Sequence, residues 1–417
     1  MWFGKTLKPF MEPVRGTAHP FASPATDIFQ KCHDFTRARE IMASGLYPYF
    51  TEITSAQETE VMIGNRKILM LGSNSYLGLT CHPQVKKAAA AALEKYGSGC
   101  AGSRFLNGTL DIHQELEDRL ARFFRKEAAL VFSTGFQTNL GVISTVVGKN
   151  DHVIIDRLDH ASIIDGTRLS FGKVKKFIHN DMEDLRRVLS HSHDGGKLIV
   201  VDGVFSMEGD IARLPEITGL GREFGARILV DDAHGVGVLG KTGRGTPEHF
   251  GLEKEVDLIM VTFSKSLASI GGCVAGSEEV IHYLKHHARA LMFSASLPPA
   301  SVAAVMAAID IIEKEPERRR RLWKITHKMK DGFSRMGFDT GRSETPIIPL
   351  CIGDMGKAFL MRKMLFDEGI FVNPVVPPAV PPDQALIRTS FMATHTDEQL
   401  DFALKTFAKI GKRMGII

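Results

Sequence analysis

The sequence predicts an α/β protein with a mostly parallel central sheet and a smaller α+β region at its C-terminal end. Between residues 84 and 275, short apolar runs alternate with segments of helical periodicity. The runs are apolar throughout, as is typical of strands that helices cover on both faces. With 417 residues, the chain can form a large core and more than one lobe. We expect an N-terminal arm and helix at 1–60, a large domain at 61–298 and a small domain at 299–417.

The first region is expected to hold an irregular arm followed by one helix. Residues 1–25 are rich in proline, glycine and small polar residues. Trp2, Phe3 and Phe10 lie among basic residues, without the continuous apolar segment of a signal peptide. We expect a disordered or partner-wrapping arm, and the alternative is a peripheral contact with the inner membrane through these aromatic side chains. From Asp27 to Ser44 the spacing of apolar residues is helical.

The large domain is expected to begin with a hairpin and to continue with five strands. Val61 to Leu71 alternates around a turn at Gly64-Asn65. The predicted strands are Ala128–Ser133, His152–Asp156, Lys197–Asp202, Arg227–Asp231 and Asp257–Phe263. Helical periodicity between them is clearest at Met182–Ser190 and Leu214–Phe224. Ligands of parallel sheets bind beyond the carboxyl ends of the strands, so the residues that follow these strands are candidates for a site.

A helix at Pro299–Lys314 is expected to lead from the large domain into the small one. The predicted elements of the small domain are strands at Thr345–Cys351, Ile370–Val375 and Ala385–Ser390 and a closing helix at Thr396–Met414. Four consecutive arginines, Arg318–Arg321, precede them. An arginine cluster can bind phosphate, but a charge run of this kind is more typical of a solvated helix face.

Composition excludes several classes of protein. The 52 basic and 48 acidic residues are too evenly balanced to favour a nucleic-acid partner. The five cysteines are scattered and form no CxxC pair, so neither disulfides nor a zinc site is indicated. No apolar stretch approaches the roughly 20 residues that span a bilayer. A nucleotide-binding protein of another class would need a GxGxxG turn or P-loop at the first strand, and neither is present there. We expect a cytoplasmic protein with reduced thiols and no bound metal.

Lys265 lies two residues after the last of the five predicted strands. Burying a lysine is unfavourable unless its charge is used or its pKa is lowered. A neutral amine at a strand end can form a Schiff base with an aldehyde cofactor. The hydroxyls of Thr262 and Ser264 could donate to a phosphate. Taken alone, however, the segment is more typical of a surface lysine in a polar loop.

The neighbouring strand ends in carboxylates and a histidine, in the order Asp231-Asp232-Ala-His234. An aspartate at this place can keep a pyridine nitrogen protonated, which makes the ring an electron sink. His234 could reach a phenolic oxygen of the same ring. The alternatives are a metal site or a helix cap at Asp232, but no further cluster of ligands lies at metal-binding spacing.

Two other strand ends offer polar groups. Gly135 and Phe136 open a helix after a strand, so their N–H groups could bind a phosphate, although glycines are common in such turns. Asp202 ends the strand at Lys197–Asp202 and Ser206 follows it, and either could contribute to the same site.

His160 and Arg388 complete the set of candidates. The imidazole of His160 could stack on a flat cofactor ring, although an isolated histidine is more often a core or capping residue. The guanidinium of Arg388, on a strand of the small domain, is a natural partner for an amino-acid carboxylate, with a surface ion pair as the alternative. Each signal is modest alone, but together these strand ends predict one site.

Five motifs give the chain a resemblance to the α-oxoamine synthases. They are Asn74–Leu79, Gly102–Gly108, Asp159–Gly166, Asp231–His234 and Thr262–Lys265. The resemblance extends from about residue 40 to the C-terminal end. It implies a fold-type-I transferase that depends on pyridoxal 5'-phosphate (PLP) and works as a homodimer with shared active sites.

The resemblance also implies roles for individual residues. Lys265 would attach PLP covalently and act in catalysis together with His160, which would stack on the ring. The other implied PLP contacts are Asp231 at the ring nitrogen, His234 and Ser206 around the phenolic oxygen, Gly135, Phe136 and Thr262 at the phosphate, and Ser294 and Ala295 at the phosphate of the neighbouring subunit. Asn74 and Arg388 match positions that hold the substrate carboxylate.

Two segments indicate which activity of the family to expect. The sequences around Lys265 and at Phe371–Pro381 resemble members that condense L-serine with a long-chain acyl-CoA, the first step of sphingolipid synthesis. The ending Ile410–Ile417 is similar to members that use glycine and acetyl-CoA, which is the first alternative activity. Another α-oxoamine synthase is the second alternative, although the aminolevulinate and aminooxononanoate synthases are less similar around Lys265. A non-catalytic subunit of the family is expected to lack the lysine, so Lys265 argues against that reading.

Overall fold

A computed structural model describes residues 27–417 of the chain. The strands are β1 (Glu60–Ile63), β2 (Arg66–Met70), β3 (Ala128–Phe132), β4 (His152–Asp156), β5 (Lys173–Phe177), β6 (Lys197–Asp202), β7 (Arg227–Asp231), β8 (Leu258–Thr262), β9 (Gly272–Gly276), β10 (Ile347–Gly353), β11 (Ile370–Phe371), β12 (Asn373–Val375) and β13 (Ala385–Ser390). The helices are α1 (Gln30–His33), α2 (Arg37–Ala43), α3 (Pro83–Tyr96), α4 (Asp111–Phe124), α5 (Gly135–Val146), α6 (Ala161–Leu169), α7 (Met182–Ser190), α8 (Leu214–Phe224), α9 (Thr246–Phe250), α10 (Glu278–His287), α11 (Arg289–Met292), α12 (Pro299–Lys314), α13 (Pro316–Met336), α14 (Met355–Asp367) and α15 (Asp397–Arg413).

A seven-stranded sheet in the order β3-β9-β8-β7-β6-β4-β5 forms the centre of the large lobe. In this sheet β9 runs antiparallel to the other six strands, which are parallel to one another, and this confirms the predicted mostly parallel sheet. Successive residues of β6 enter the apolar clusters on opposite faces, Ile199 and Val201 in one and Leu198 and Val200 in the other. Because both faces are covered, the strands are apolar at every position rather than at alternate ones.

The remaining strands of the described chain form two three-stranded sheets. In the first, β2 pairs antiparallel with β1 through the predicted turn at Gly64-Asn65 and parallel with β11. In the second, β13 lies between β10 and β12. The strand predicted at Ile370–Val375 is therefore divided at Val372, where the chain passes from one sheet to the other. The boundaries of the three predicted regions stay a prediction.

Two strands of the large sheet are absent from the sequence prediction. β5 has the sequence KVKKF and lies at the edge of the sheet with most of its side chains at least partly exposed, so it carries no apolar run. β9 is made of small residues because it passes close to α5: a Cβ on Gly272 would lie 2.6 Å from the Cα of Gly135. Neither strand has the apolar pattern by which the others were predicted.

The N-terminal helix is shorter than predicted. Instead of one helix over Asp27–Ser44, the structure has α1 and α2, separated at residues 34–36. Neither helix buries a residue, so no core packing favours a single longer one. The predicted arm at 1–25 and its aromatic side chains lie outside the described residues. Among residues 27–417, no helix combines the length and apolar character needed to cross a membrane.

The arginine run lies in the first turns of α13 and is only partly solvated. Arg318 pairs with Glu315 and Arg321 with Asp397. Arg319, in contrast, is only 8% exposed and donates a hydrogen bond to the carbonyl of Lys241. The prediction of a solvated face is wrong for Arg319, because one position in each helical turn faces the protein.

Candidate active site

A cavity of about 380 Å³ opens at the carboxyl ends of β6, β7 and β8. The predicted site residues that line it are Gly135, Phe136, His160, Ser206, Asp231, His234, Thr262 and Lys265. The structure therefore brings together side chains from five separate strand ends, as the parallel sheet requires. Asn74, Arg388, Ser294 and Ala295 are not part of its lining.

The amine of Lys265 enters the cavity three residues after the end of β8. Burial lowers the pKa of Lys265 to about 8, although the carboxylates of Asp231 and Asp202 act in the opposite direction. The nearby guanidinium of Arg388 lowers the pKa further. A substantial fraction of the amine is therefore neutral near physiological pH, which is the form that attacks a carbonyl or accepts a proton.

Asp231, the last residue of β7, is held by two donors. Its Oδ2 accepts a hydrogen bond of 2.7 Å from the side-chain amide of Asn139, and its Oδ1 accepts one of 3.1 Å from the N–H of Ala233. Asn139 also donates to the hydroxyl of Ser162 at 2.8 Å. Its own Oδ1 is buried without a partner among the described residues. Asn139 and Ser162 were missed in the sequence, although Ser162 lies inside the motif at Asp159–Gly166.

His160 caps α6 and faces the cavity from the β4 side. Its Nδ1 accepts a hydrogen bond of 3.2 Å from the N–H of Ser162 and lies 2.7 Å from the hydroxyl of the same residue. Burial lowers the pKa of His160, an effect that Asp231 opposes and Lys265 reinforces. The imidazole is therefore neutral, and because Nδ1 is an acceptor, its proton lies on Nε2.

His234 is paired with Tyr76, a residue that was missed although it lies inside the motif at Asn74–Leu79. The Tyr76 hydroxyl lies 2.6 Å from Nδ1 of His234. Burial raises the pKa of Tyr76 to about 12 and moves the pKa of His234 well below its usual range. The imidazole of His234 is therefore neutral, and its hydrogen bond with the phenol of Tyr76 fixes the orientation of the ring.

Two buried carboxyl groups lie behind His160. Asp202 accepts a hydrogen bond of 2.9 Å from the N–H of His160, and Asp159 accepts one of 2.9 Å from the N–H of Asp202. Burial raises the pKa of both, and neighbouring carboxylates raise it further. These bonds connect the end of β6 to the loop after β4, so they position His160 over the cavity.

The N-terminus of α5 forms the end of the cavity that suits an anion. Thr134 caps the helix by accepting a hydrogen bond of 3.1 Å from the N–H of Gln137. A Cβ on Gly135 would lie 2.6 Å from the Cβ of Thr262, so only glycine lets α5 approach β8 this closely. The hydroxyls of Thr262 and Ser264 lie 2.9 Å apart at the same place. Helix N–H groups and hydroxyls together are a donor set for phosphate.

Arg388 and Asn74 lie beside the cavity residue Ser206. Arg388 is 5% exposed, and its Nε donates to the carbonyl of Ser206 at 2.6 Å. Its Nη2 donates to the side-chain carbonyl of Asn74 at 3.0 Å. Within residues 27–417, no carboxylate forms an ion pair with this guanidinium. The guanidinium of Arg388 can therefore donate hydrogen bonds to the carboxylate of a ligand.

Ser294 and Ala295 lie outside the cavity, on the surface close to the first turn of α5. The hydroxyl of Ser294 accepts a hydrogen bond of 3.0 Å from Gln137, and the carbonyl of Ala295 accepts one from Ser133. Phe293 beside them is 73% exposed. The position is compatible with the predicted contact to a neighbouring subunit, which stays a prediction.

The residues of the cavity fit PLP. Lys265 can react with its aldehyde, the Asp231 carboxylate can accept from a protonated ring nitrogen, and the α5 N-terminus can bind its phosphate. Residues 66–407 match the protein family described as aminotransferase class I and II. The chain belongs to this family. The matched residues include the whole of the large sheet and nearly all of the small lobe.

Three relatives of this chain agree with its resemblance to the α-oxoamine synthases. A serine palmitoyltransferase of Sphingobacterium spiritivorum is 55% identical over 93% of this chain and 98% of its own length. A serine palmitoyltransferase of Bacteroides thetaiotaomicron is 52% identical over 93% of this chain and 99% of its own. An 8-amino-7-oxononanoate synthase of Thermoanaerobacter pseudethanolicus is 46% identical over 92% and 98%.

Solved structures give the same fold. A solved structure of SPT (serine palmitoyltransferase) with PLP as an internal aldimine superposes with a TM-score of 0.91 at 37% identity, over 94% of this chain and 100% of that one. The serine palmitoyltransferase of Sphingomonas wittichii has a TM-score of 0.91 at 40% identity, with the same coverage. The predicted fold-type-I architecture of this family member is confirmed.

Proposed function

We propose that the chain is a PLP-dependent acyltransferase that condenses L-serine with palmitoyl-CoA. The products are 3-ketodihydrosphingosine, coenzyme A and CO₂, which makes this the first step of sphingolipid synthesis. The observation that carries the proposal is the cavity itself, in which Lys265 and Asp231 converge with the N-terminus of α5. Four serine palmitoyltransferases at 50–55% identity support the choice of substrates, whereas the 8-amino-7-oxononanoate synthases reach 45–47%.

The cofactor would be held at three points. Asp231 keeps the proton at the ring nitrogen, and the hydroxyl of Thr262 with the N–H groups of Gly135 and Phe136 binds the phosphate. Lys265 is the site of covalent attachment. When bound, PLP supplies a protonated ring that withdraws electrons from the Cα of the amino acid.

The residues around the cofactor would bind the substrate and move protons. Arg388 and Asn74 bind the carboxylate of serine and so fix which bond at Cα is broken. Lys265 removes the Cα proton, and its lowered pKa of about 8 keeps part of the amine neutral for this step. His160 carries its proton on Nε2, so it can donate to the substrate carboxylate or polarise the carbonyl of the thioester.

We also propose that the chain acts as a homodimer in the cytoplasm. Ser294 and Ala295 would contact the phosphate of the cofactor in the neighbouring subunit. The exposed side chains Phe293, Phe105 and Leu106 supply an apolar surface near this segment, which supports the proposal. All five cysteines are free, in agreement with a reducing compartment.

A coenzyme A release assay tests the function. Serine and glycine are each paired with palmitoyl-CoA and with acetyl-CoA, and we expect release only with serine and the long chain. Lys265→Ala should abolish it, while Lys254→Ala, a change at an exposed lysine outside the cavity, should leave it unchanged. Release with glycine and acetyl-CoA would assign the chain to the alternative activity instead.

A further inference from the structure

A second cavity, of about 640 Å³, lies between the first turns of α13 and the loop that follows β7. We call it the α13 groove. Its charged and aromatic lining consists of Lys241, Arg319, Arg320, Trp323, Lys324 and His327. No aspartate or glutamate from residues 27–417 is part of the lining. The groove therefore concentrates positive charge on one small surface, although the whole chain has a net charge of only +4.

Arg319 is the buried centre of this surface. It is fixed by a hydrogen bond to the carbonyl of Lys241, and a Cβ on Gly243 would lie 2.8 Å from its Nη1. No carboxylate of the described chain pairs with it, and burial lowers the pKa of Arg319. The charge of Glu248 acts in the opposite direction and raises the pKa of Arg319, but both oxygens of Glu248 accept hydrogen bonds from the N–H of Thr242. A buried guanidinium without its own anion is costly unless a ligand supplies one.

The walls of the groove are also fixed. The indole N–H of Trp323 donates to the carbonyl of Val238 at 3.0 Å, and the His327 ring lies 5.7 Å from the indole at an angle of 36°. Pro316, at the N-terminus of the 21-residue helix α13, is part of the lining. The positive end of this helix dipole adds to the charge of the side chains.

The loop contributes a sequence pattern of its own. Residues 235–242 read G-V-G-V-L-G-K-T, which has the spacing of a P-loop, but after β7 rather than the first strand. The N–H of Leu239 is bonded to the carbonyl of Gly235 and the hydroxyl of Thr242 to Glu248, so the loop does not form a complete cradle of amides. It presents Gly240 and Lys241 to the groove instead.

We propose that the α13 groove binds a phosphate-bearing anion. Arg319 supplies the planar fork that pairs with two phosphate oxygens, and Lys241, Arg320 and Lys324 neutralise the remaining charge. The aromatic rings of Trp323 and His327 exclude water from one side. The site is separate from the PLP cavity, so the proposal does not depend on the reaction catalysed there. Soluble phosphate compounds and the headgroups of anionic lipids share this chemistry.

Fluorescence of Trp323 provides the test. The chain has two tryptophans, Trp2 and Trp323, so the Trp2→Phe holoenzyme reports on the groove alone. Pyrophosphate is titrated at constant ionic strength, and we expect a saturable change in emission with an unchanged cofactor spectrum. Replacing Arg320 and Lys324 by glutamine should weaken binding by roughly tenfold or more, because charge-assisted hydrogen bonds to the anion are lost.

The matched control removes the same charges elsewhere, by Lys254→Gln with Arg335→Gln, both exposed and outside the groove. It should bind pyrophosphate as the parent does. Emission that does not saturate, or equal weakening in the two double variants, would overturn the proposal.

Sedimentation with phosphatidylglycerol vesicles distinguishes the sources. Co-sedimentation that pyrophosphate and the Arg320/Lys324 substitutions both abolish assigns the groove to a lipid headgroup. Pyrophosphate binding without such co-sedimentation assigns it to a soluble phosphate compound.

Discussion

The amine of Lys265 shares its cavity with two neutral histidines and two carboxyl groups. Burial shifts the pKa of Lys265 downward to about 8, and Asp231 and Asp202 only partly oppose this shift. His160 and His234 stay neutral for the same reason, so they add no positive charge next to the amine. The site thus keeps part of the Lys265 amine uncharged near neutral pH without needing a separate base.

The pH dependence of cofactor attachment follows from this pKa. A pKa lowered to about 8 means that Lys265 loses its proton as the pH rises through that value, more than two units below the usual range of a lysine. The rate at which apoenzyme reacts with PLP should therefore rise with pH and level off above about 9. Stopped-flow absorbance measures the rate. A rate still rising toward pH 10.5, as for free lysine, would contradict the assignment.

A charged histidine lies outside the cavity, in the loop after β5. His179 bonds to Asp156 through Nδ1 at 3.0 Å and to Asp210 through Nε2 at 2.9 Å. Burial alone would lower the pKa of His179, but the two carboxylates outweigh it and raise the pKa to about 10. Asp210 belongs to the loop that carries Ser206, so this ion triad ties that loop to the end of β4.

His179→Gln should destabilise the protein by about 3 kcal/mol, because it leaves two buried carboxylates without their cation. A raised pKa stabilises the folded state fully below the unfolded value of about 6.5, and the contribution is lost as the pH rises through 10. The difference between parent and variant should therefore shrink from about pH 6 to pH 10. Urea unfolding at several pH values measures it, with the exposed His193→Gln as control. A difference independent of pH would show that His179 is not charged.

The sequence predicts the cavity residues that lie at strand ends. It does not predict the residues that hydrogen-bond to them, such as Tyr76 and Asn139. Lys265, Asp231 and His234 stand at strand ends, where the parallel sheet makes convergence predictable. Tyr76 reaches His234 across 158 residues of sequence, and no periodicity indicates such a contact. Asn139 on α5 is hidden in the same way, because its hydrogen bonds to Ser162 and Asp231 reach residues 23 and 92 positions away.

At the scale of elements, the packing of α5 against β8 and β9 decides the phosphate end of the cavity. Gly135 touches Thr262 on one side and Gly272 on the other, and a side chain at either glycine would overlap its neighbour at 2.6 Å. The close approach brings the first N–H groups of α5 next to the Thr262 hydroxyl. The donor set proposed for the phosphate therefore depends on the absence of a side chain at both glycines.

Gly135→Ala should weaken PLP binding by roughly tenfold to a hundredfold, because the helix must move away from Thr262 and its charge-assisted hydrogen bonds are lost. Gly219→Ala is the matched control. Gly219 lies within α8 with nothing within 4 Å of an added Cβ, so alanine there should stabilise the helix by about 1 kcal/mol. Spectroscopic titration of apoenzyme with PLP measures both. Equal affinities in the two variants would show that α5 does not bind the phosphate.

The predictability of an element depended on where it lies in the sheet. The bounds of β4, β6 and β7 were predicted correctly, since central strands buried on both faces show uninterrupted apolar runs. β5 at the edge has lysines instead, and β9 has small residues that fit against α5. Both sequences follow from tertiary neighbours, which a single sequence does not reveal.

At the scale of the whole molecule, Arg388 lies where the two lobes meet. Arg388 comes from β13 in the small lobe, yet its Nε bonds to the carbonyl of Ser206 in the large one. Met207, the next residue, packs against Val375 and Leu386 of the small lobe. The guanidinium is thus held at the junction between the lobes.

Replacing Arg388 by lysine should raise the KM for the amino acid by roughly tenfold or more, since an ammonium group cannot form the bidentate fork. The absorbance of bound cofactor should stay, because Arg388 is not part of the cavity lining. Arg335→Lys, at an exposed position of α13, is the control. Steady-state kinetics with a parallel absorbance spectrum separates the two effects, and a variant that loses PLP would show that Arg388 supports the cofactor instead.

The surface beside α5 carries the prediction about assembly. Phe293 is 73% exposed next to Ser294 and Ala295, and Leu106 is 77% exposed in the segment whose Ser103 pairs with Ala295. Exposed apolar side chains this close together are typical of an interface. If a second subunit covers them, a charge placed there must be buried without a partner, which strongly disfavours association.

Phe293→Glu should therefore convert a dimer into monomers and weaken PLP binding in the same variant, because each subunit would lose the Ser294–Ala295 segment of its neighbour. Phe402→Glu, on α15 of the small lobe and 45% exposed, introduces the same charge away from this surface and should leave the assembly intact. Light scattering after size exclusion gives the mass, and titration with PLP gives the affinity. If Phe293→Glu yields monomers that bind PLP as tightly as the parent, the cofactor site is complete within one chain, and the shared-site part of the proposal is wrong.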